Sequence, residues 1–205
     1  MQREVESRGI NFVWHFTRVE NLDGILSHGL LARTEIEARE ISCLYNDGYR
    51  YDGCVDAVCC SIGFPNYKMF YSLRQSQPGS EWVVVALQPC VLWEKECAFC
   101  ASNAASSAVS CTPLAQRKGK AAFLSLFNEI EGKPERKALG LPDACPTDPQ
   151  AEVLVFGNIE PRYIAGVAAR DRTTQSRLAA KYPAVVFKCF PSLFSARKDY
   201  EHWRS

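Results

Sequence analysis

Hydrophobic and polar positions along this chain fall into short blocks, and the blocks are mostly of strand type. Residues 10–16 (INFVWHF) are rich in β-branched and aromatic side chains and predict a strand. Thr17 then predicts the N-cap of a helix with the apolar stripe Val19, Leu22, Ile25 and Leu26, closed by Gly29. Residues 57–62 predict a buried strand, 66–74 a short helix, and 81–88 the clearest strand of the chain, ended by Pro89. Residues 151–156 and 163–169 predict two more strands, 173–181 a helix and 184–188 a last strand. Between them, 44–56 and 132–149 carry the Gly, Asp and Pro of loops, 100–113 is a small-residue loop, and 121–130 has helical spacing. Short strands without regular β-α-β alternation imply an α+β fold, with antiparallel-rich sheets and peripheral helices.

The composition adds little to this and excludes much. Of 205 residues, 47% are apolar and 23% charged, which rules out a disordered tail, a collagen or a coiled coil. A chain of this length suits one domain, residues 1–205, able to bury roughly 70% of its unfolded surface. The longest apolar run, Trp82 to Leu87, is far short of the ~20 residues of a membrane span. The N-terminal MQREVESRG has no apolar segment behind it, so the expected location is the cytoplasm, with no membrane partner. In that compartment ten cysteines are expected as free thiols. The lone pair Cys97-x-x-Cys100 has no second pair at matching spacing, so no metal is expected.

Net charge is +1, but it is unevenly spread: residues 161–205 carry nine Lys/Arg against three Asp/Glu. A smaller basic cluster, Arg117-Lys118-Gly119-Lys120, follows the small-residue loop. Such patches suit a polyanionic partner, or simply a solvated surface. Phosphate-binding glycine loops, dinucleotide fingerprints, zinc-protease helices and serine-nucleophile elbows are all absent. Three positions stand out instead. His15 ends an apolar strand, where a side chain projects into a crevice or bonds the backbone. Glu152 sits among residues that want burial, which is costly for a carboxylate unless it is paired or faces a cleft. Lys68 lies between Tyr67 and Met69, where it snorkels to water or points at an anion.

These positions lie in stretches that resemble a known family. Trp14-His15-Phe16-Thr17, with Asn21-Leu22, Ile25-Leu26 and Gly29-Leu30-Leu31, resembles the opening of the DarT toxins, which are DNA ADP-ribosyltransferases. Phe64-Pro65-Asn66-Tyr67-Lys68-Met69-Phe70-Tyr71 resembles their second motif, and Gln150-Ala151-Glu152-Val153-Leu154-Val155 their catalytic-glutamate strand. Cys97-x-x-Cys100-x-x-Asn103-Ala104-Ala105-Ser106 is similar to the substrate-facing loop of the guanine-directed branch. The resemblance implies an ADP-ribosyltransferase fold, a split, mainly antiparallel β-sandwich with NAD in its cleft. It also implies transfer of ADP-ribose from NAD to a base in single-stranded DNA, and a cognate antitoxin of macrodomain or NADAR type that removes the mark. The toxin itself is expected as a monomer.

Residue by residue, the resemblance implies that His15 contacts the NAD ribose, with Phe16, Thr17 and Gly24 continuing that site. Tyr67 or Tyr71 would stack on nicotinamide, and Glu152 would be catalytic. Where thymine-directed relatives carry an arginine in the second motif, the local cation is Lys68, a departure that bears on thymine specificity because Arg and Lys are not equivalent at a bidentate site. Asn103 would read the base edge, and Arg117, Lys118 and Lys120 would hold the DNA backbone. A carboxylate beside the ribose stabilises positive charge developing at the anomeric carbon and accepts the proton of an incoming base nitrogen. The sequence leaves other readings open: the same reaction on thymine, RNA or protein, or a non-catalytic module that holds NAD or nucleic acid.

Overall fold

The computed structural model describes residues 1–46, 50 and 52–204, and only the backbone of Ser107 and Ala108. The predicted loop 44–56 therefore lies partly outside the described residues. In chain order the helices are α1 (Gln2–Ser7), α2 (Leu22–His28), α3 (Arg33–Ala38), α4 (Tyr67–Ser76), α5 (Val91–Glu94), α6 (Ser107–Ser110), α7 (Gly119–Ser125) and α8 (Arg172–Lys181). The strands are β1 (Val13–Arg18), β2 (Ala57–Ile62), β3 (Trp82–Leu87), β4 (Cys97–Cys100), β5 (Glu152–Phe156), β6 (Ile164–Ala169) and β7 (Phe187–Cys189). They form one seven-stranded sheet in the order β4-β5-β2-β1-β3-β6-β7, antiparallel except for the β6–β7 pair, which α8 connects. The fold is α+β.

β3 has every side chain buried, because it lies between β1 and β6 with both faces of the sheet covered. One face packs Val13, Ile62, Val85 and Val153 against Val5 of α1, Ile25 of α2 and Phe123 of α7. Elsewhere Phe70 of α4 joins Trp82, Val84 and Phe194, with Phe16 stacked on Phe70 at 4.6 Å.

The feature that makes a site is a weak seam. β1 pairs with β3 over six residues, but with β2 only at Val13↔Ile62 and Trp14↔Ser61. Beyond those two pairs β1 stays with β3, β2 stays with β5, and the sheet splits.

Three local expectations change. Thr17 is not a helix cap: it belongs to β1, because Val19 N–H still donates to Glu81 O and prolongs the strand pairing. A 3-10 turn, Val19–Asn21, intervenes before α2, and Thr17 Oγ1 accepts from Asn21 Nδ2. β4 is a strand the sequence did not predict, sharing only Cys100 with the predicted loop; four residues are too few to show a period, and its pairing with β5 is what creates it. The helix expected over 121–130 is Gly119–Ser125, starting earlier and ending well short of the expected end.

Much of the C-terminal basic charge is used internally. Arg197 is buried and pairs bidentately with Asp199 through Nε–Oδ1 and Nη2–Oδ2 contacts of 2.6 Å each, and it also donates to the carbonyls of Pro146 and Thr147. Arg177 pairs with Glu81 and Lys181 with Asp23. All ten cysteines are free thiols. Among the described residues no cluster of His, Cys, Asp or Glu could hold a metal ion, and no helix is long and apolar enough to cross a membrane.

Candidate active site

A cleft of about 400 Å³ opens where β1 and β2 part, within the size range of small-molecule sites. His15, Phe16 and Thr17 of β1 line it, with Gly24 and Ile25 of α2 and Cys59 and Ser61 of β2. Asn103, Ala104 and Glu152 line it as well. Residues 41–46 form a further part of the wall, held by Arg18 and Asn21. Arg18 donates to Leu44 O and Tyr45 O, and Asn21 both donates to Leu44 O and accepts from Leu44 N.

His15 spans the split. Its Nδ1 lies 2.8 Å from Cys59 O. A carbonyl can only accept, so Nδ1 carries the proton and the neutral ring presents Nε2 as an acceptor. Burial disfavours the imidazolium and lowers the pKa; the Cys59 carbonyl partly opposes this. His15 lies inside β1 rather than at the end of a strand, and it both bonds the backbone and lines the cleft.

Glu152 opens β5 opposite Cys100 and is 8% exposed. Its two oxygens are held separately. Oε1 accepts from Asn66 Nδ2 at 3.2 Å, and Oε2 from Ala104 N at 3.0 Å. Burial raises its pKa to about 7, against the lowering by these two hydrogen bonds. The next influences are Asp52, which raises it, and Arg50, which lowers it. A carboxylate poised near neutrality in a cleft suits general base work.

Asn66 was legible only as part of a helix start. It caps α4 by accepting from Met69 N at 3.2 Å, its own N–H donates to Ser61 Oγ, and it is buried. Replacing Asn66 with Ala removes a cap worth about 1 kcal/mol and a hydrogen bond to a charged group worth roughly 1.5–3 kcal/mol. Glu152 then loses a donor that favours its ionised form, so its pKa rises. The expected outcome is a lower melting temperature together with an activity–pH profile displaced upward, measured on the same purified variant. A lower melting temperature with an unmoved profile would remove Asn66 from the site.

The cations that line the cleft include Arg33 and Arg50, neither of which the sequence singled out. Arg50 Nε donates to Asp52 Oδ1 at 3.0 Å, Nη1 to Cys59 Sγ at 3.1 Å and Nη2 to Cys54 O. Lys68 lies in the first turn of α4 and is not part of the cleft wall; Met69 is. Tyr67 is buried, where desolvation and then Asp199 push its hydroxyl pKa up, and Tyr71 is 58% exposed; neither lines the cleft. Helical spacing turns these side chains away from the wall that Asn66 and Met69 face.

Nor does the structure bring the basic cluster to the cleft. Arg117 is buried with Nη1 3.8 Å from Cys100 Sγ. Lys118 pairs with Glu96, and Lys120 with Glu4 at 2.7 Å. Asn103 does line the cleft, but its Oδ1 is engaged by Ala105 N at 2.8 Å.

The residues present fit NAD. The wall beside α2 is apolar at Ile25, Leu30 and Ile36, and Gly24 leaves open space where a side chain would stand. Arg33 and Arg50 bring positive charge for a pyrophosphate, and His15 Nε2 offers an acceptor to a ribose hydroxyl. A split sheet carrying such a cleft, with a buried glutamate on its wall, is the arrangement that the resemblance to ADP-ribosyltransferases implies.

Comparison with known proteins narrows the class. The family model for DarT, ssDNA thymidine ADP-ribosyltransferase, matches residues 14–192, and the chain belongs to the DarT family. Among solved structures it is similar to Thermosipho africanus DarTG in complex with ADP-ribose, at TM-score 0.63 and 19% identity over 90% of this chain. It spans about half of that longer chain, 51%. It is also similar to Thermus sp. 2.9 DarT in complex with carba-NAD+, at TM-score 0.61 and 15% identity over 90% of this chain and 98% of that one. The same Thermus protein in complex with ADP-ribosylated ssDNA matches at TM-score 0.60 and 16% identity, over 91% and 97% of the two chains. A search of curated proteins gives no match.

Proposed function

We propose that this protein transfers ADP-ribose from NAD to a guanine base in single-stranded DNA, releasing nicotinamide, with Glu152 as the catalytic base. The observation that carries the reading is the buried Glu152 carboxylate on the wall of the cleft, held on both oxygens and poised near neutral pH. NAD, when bound, supplies the ADP-ribosyl group and a leaving group that departs neutral. The chain's own residues do the rest. His15, fixed by Cys59 O, orients a ribose hydroxyl through Nε2. Phe16, Thr17 and Gly24 shape the cleft around it. Glu152 favours positive charge developing beside it and removes the proton from the acceptor nitrogen, a poor nucleophile until that proton is lost. Positive charge on the wall comes from Arg33 and Arg50 rather than Lys68.

A base stacked in a duplex is out of reach of a cleft, which favours a single strand. The guanine assignment is supported by the loop Asn103-Ala104-Ala105-Ser106, whose sequence resembles the guanine-directed branch and which closes against Glu152. The name of the matching family model favours thymine instead. A cognate antitoxin that removes the mark, of macrodomain or NADAR type, and a monomeric cytoplasmic toxin complete the proposal.

The test is a mass-spectrometric assay with NAD and four single-stranded oligonucleotides, each offering one reactive base in an inert context. The expected result is an ADP-ribose mass increase on the guanine oligonucleotide alone. An increase on thymine alone overturns the base assignment and keeps the reaction. No increase on any DNA, with NAD bound, moves the acceptor to RNA or protein or leaves a non-catalytic module.

A further inference from the structure

The turn that follows β4 is built by Asn103. Its Oδ1 accepts from the N–H of Ala105, two residues on, at 2.8 Å, the geometry of an Asx turn. Between them the N–H of Ala104, a residue 1% exposed, donates to Glu152 Oε2 at 3.0 Å. At that depth this N–H has no water to turn to, so the shape of the turn decides whether Glu152 receives it. We infer that Asn103 is a positioning residue for the transfer reaction, its side-chain oxygen holding the turn that delivers Ala104 N–H to the Glu152 carboxylate, and that its amide does not read the acceptor base.

The chemistry of the amide separates the two roles. Bidentate pairing of an asparagine with a base edge uses both its oxygen and its nitrogen. Here the oxygen already accepts from Ala105 N–H, so turning the amide to align both its atoms with a base edge would break the bond that holds the turn beside Glu152. The inference rests on the reading of Glu152 as the catalytic base and adds how that base is kept ionised. The other groups facing Glu152 are Asn66 at the start of α4, Arg50 and Asp52 before β2, and the thiols of Cys59 and Cys60 on β2 and Cys100 on β4. Burial raises the pKa of all three thiols, so they are neutral at pH 7 and contribute no competing charge there.

The test compares wild type, Asn103→Ala and Asn103→Ser. Serine lacks the amide, but its hydroxyl can accept the same N–H two residues on. The Glu152 carboxyl is titrated directly by carbon NMR in protein labelled at glutamate, its signal assigned by its loss in Glu152→Gln. Removing a hydrogen bond to the ionised form should raise the Glu152 midpoint by about one pH unit in Asn103→Ala. Asn103→Ser should stay near wild type. In transfer assays the Asn103→Ala rate at pH 7 should fall about fivefold and recover at higher pH, with KM for NAD unchanged. Equal midpoints in all three proteins, or Asn103→Ser tracking Asn103→Ala, would overturn the inference. So would a pH-independent loss shared by both variants with a raised KM for the oligonucleotide. The titration needs no activity, so absence of transfer by wild type with the midpoints ordered as expected would count against the functional reading alone.

Discussion

Glu152→Gln is expected to lower the rate of ADP-ribose transfer at pH 8 by at least about 10³-fold while leaving the protein folded. The side chain is nearly isosteric, so the loss is of charge and basicity rather than of packing. Wild-type activity should follow the same group. The carboxylate form is the one required, so the rate should climb with pH through about 7 and level off above it, reaching about a tenth of the plateau near pH 6. Stability moves the other way. A carboxyl whose pKa is raised on folding binds protons more tightly in the native state, so its penalty is absent below about 4.5, grows as pH rises, and is complete above about 7. The difference corresponds to about 3 kcal/mol of destabilisation at pH 8.

Glutamine removes that penalty but turns one amide N–H toward either Ala104 N–H or Asn66 Nδ2, a mismatch costing about 1–3 kcal/mol. The melting temperature of Glu152→Gln should therefore equal or exceed that of wild type at pH 8, and equal or fall below it at pH 5. Transfer assays and thermal melts at both pH values check this. Transfer within tenfold of wild type by a folded variant would sink the assignment of Glu152.

The second large effect is on the fold. Gly29 ends α2 with φ +86° and ψ −173°, a region close to glycine-only. A Cβ there would lie 2.1 Å from Ile159 O. That carbonyl accepts from Leu30 N at 2.9 Å, and Ile159 N donates to Leu30 O at 2.8 Å, so the chain after α2 is bonded to the segment following β5. Ile159 is fully buried and cannot retreat. Gly29→Ala combines backbone strain, overpacking and the loss of two hydrogen bonds, roughly 4 kcal/mol or more in all. For a chain of this length the expected fall in melting temperature is roughly 10–15 °C by calorimetry. A fall of less than about 3 °C would mean that the bridge can part without cost. Gly29 and Leu30 also line the cleft, so NAD binding should weaken with the fold.

The pattern of side chains carried the sheet because each strand declares its own burial. Residues 57–62 and 81–88 were legible as strands since nearly every side chain in Ala57–Ile62 and Trp82–Leu87 is covered, and a strand covered on both faces reads as a continuous apolar run. Glu152 was legible for the opposite reason. A carboxylate within an apolar strand must answer for its burial, and here it does so with two hydrogen bonds. His15 in an apolar strand was visible in the same way, though the strand runs on past it to Arg18, as was Gly29 as a helix terminator, though not the carbonyl pressed against it.

What stayed hidden depended on which elements meet. Arg50 sits in a loop with no period, and nothing in its neighbours along the chain shows that it reaches Asp52, Cys59 and the Glu152 cleft. Lys68 stood out through its aromatic neighbours, but the rotation of α4, fixed by the Asn66 cap and by Phe70 in the core, presents Asn66 and Met69 to the cleft instead. Arg117 looked like a phosphate contact until β4 and the turn beside it closed over its guanidinium. By itself the sequence determined the α+β class, most of the strands and the two side chains whose polarity conflicts with their setting, because burial is a property of each residue's own segment. Only the tertiary structure decided that β1 and β2 share two residue pairs and then part, because register and splitting are properties of pairs of strands. That parting brings His15, Arg50, Asn66, Asn103 and Glu152 to the walls of one cleft.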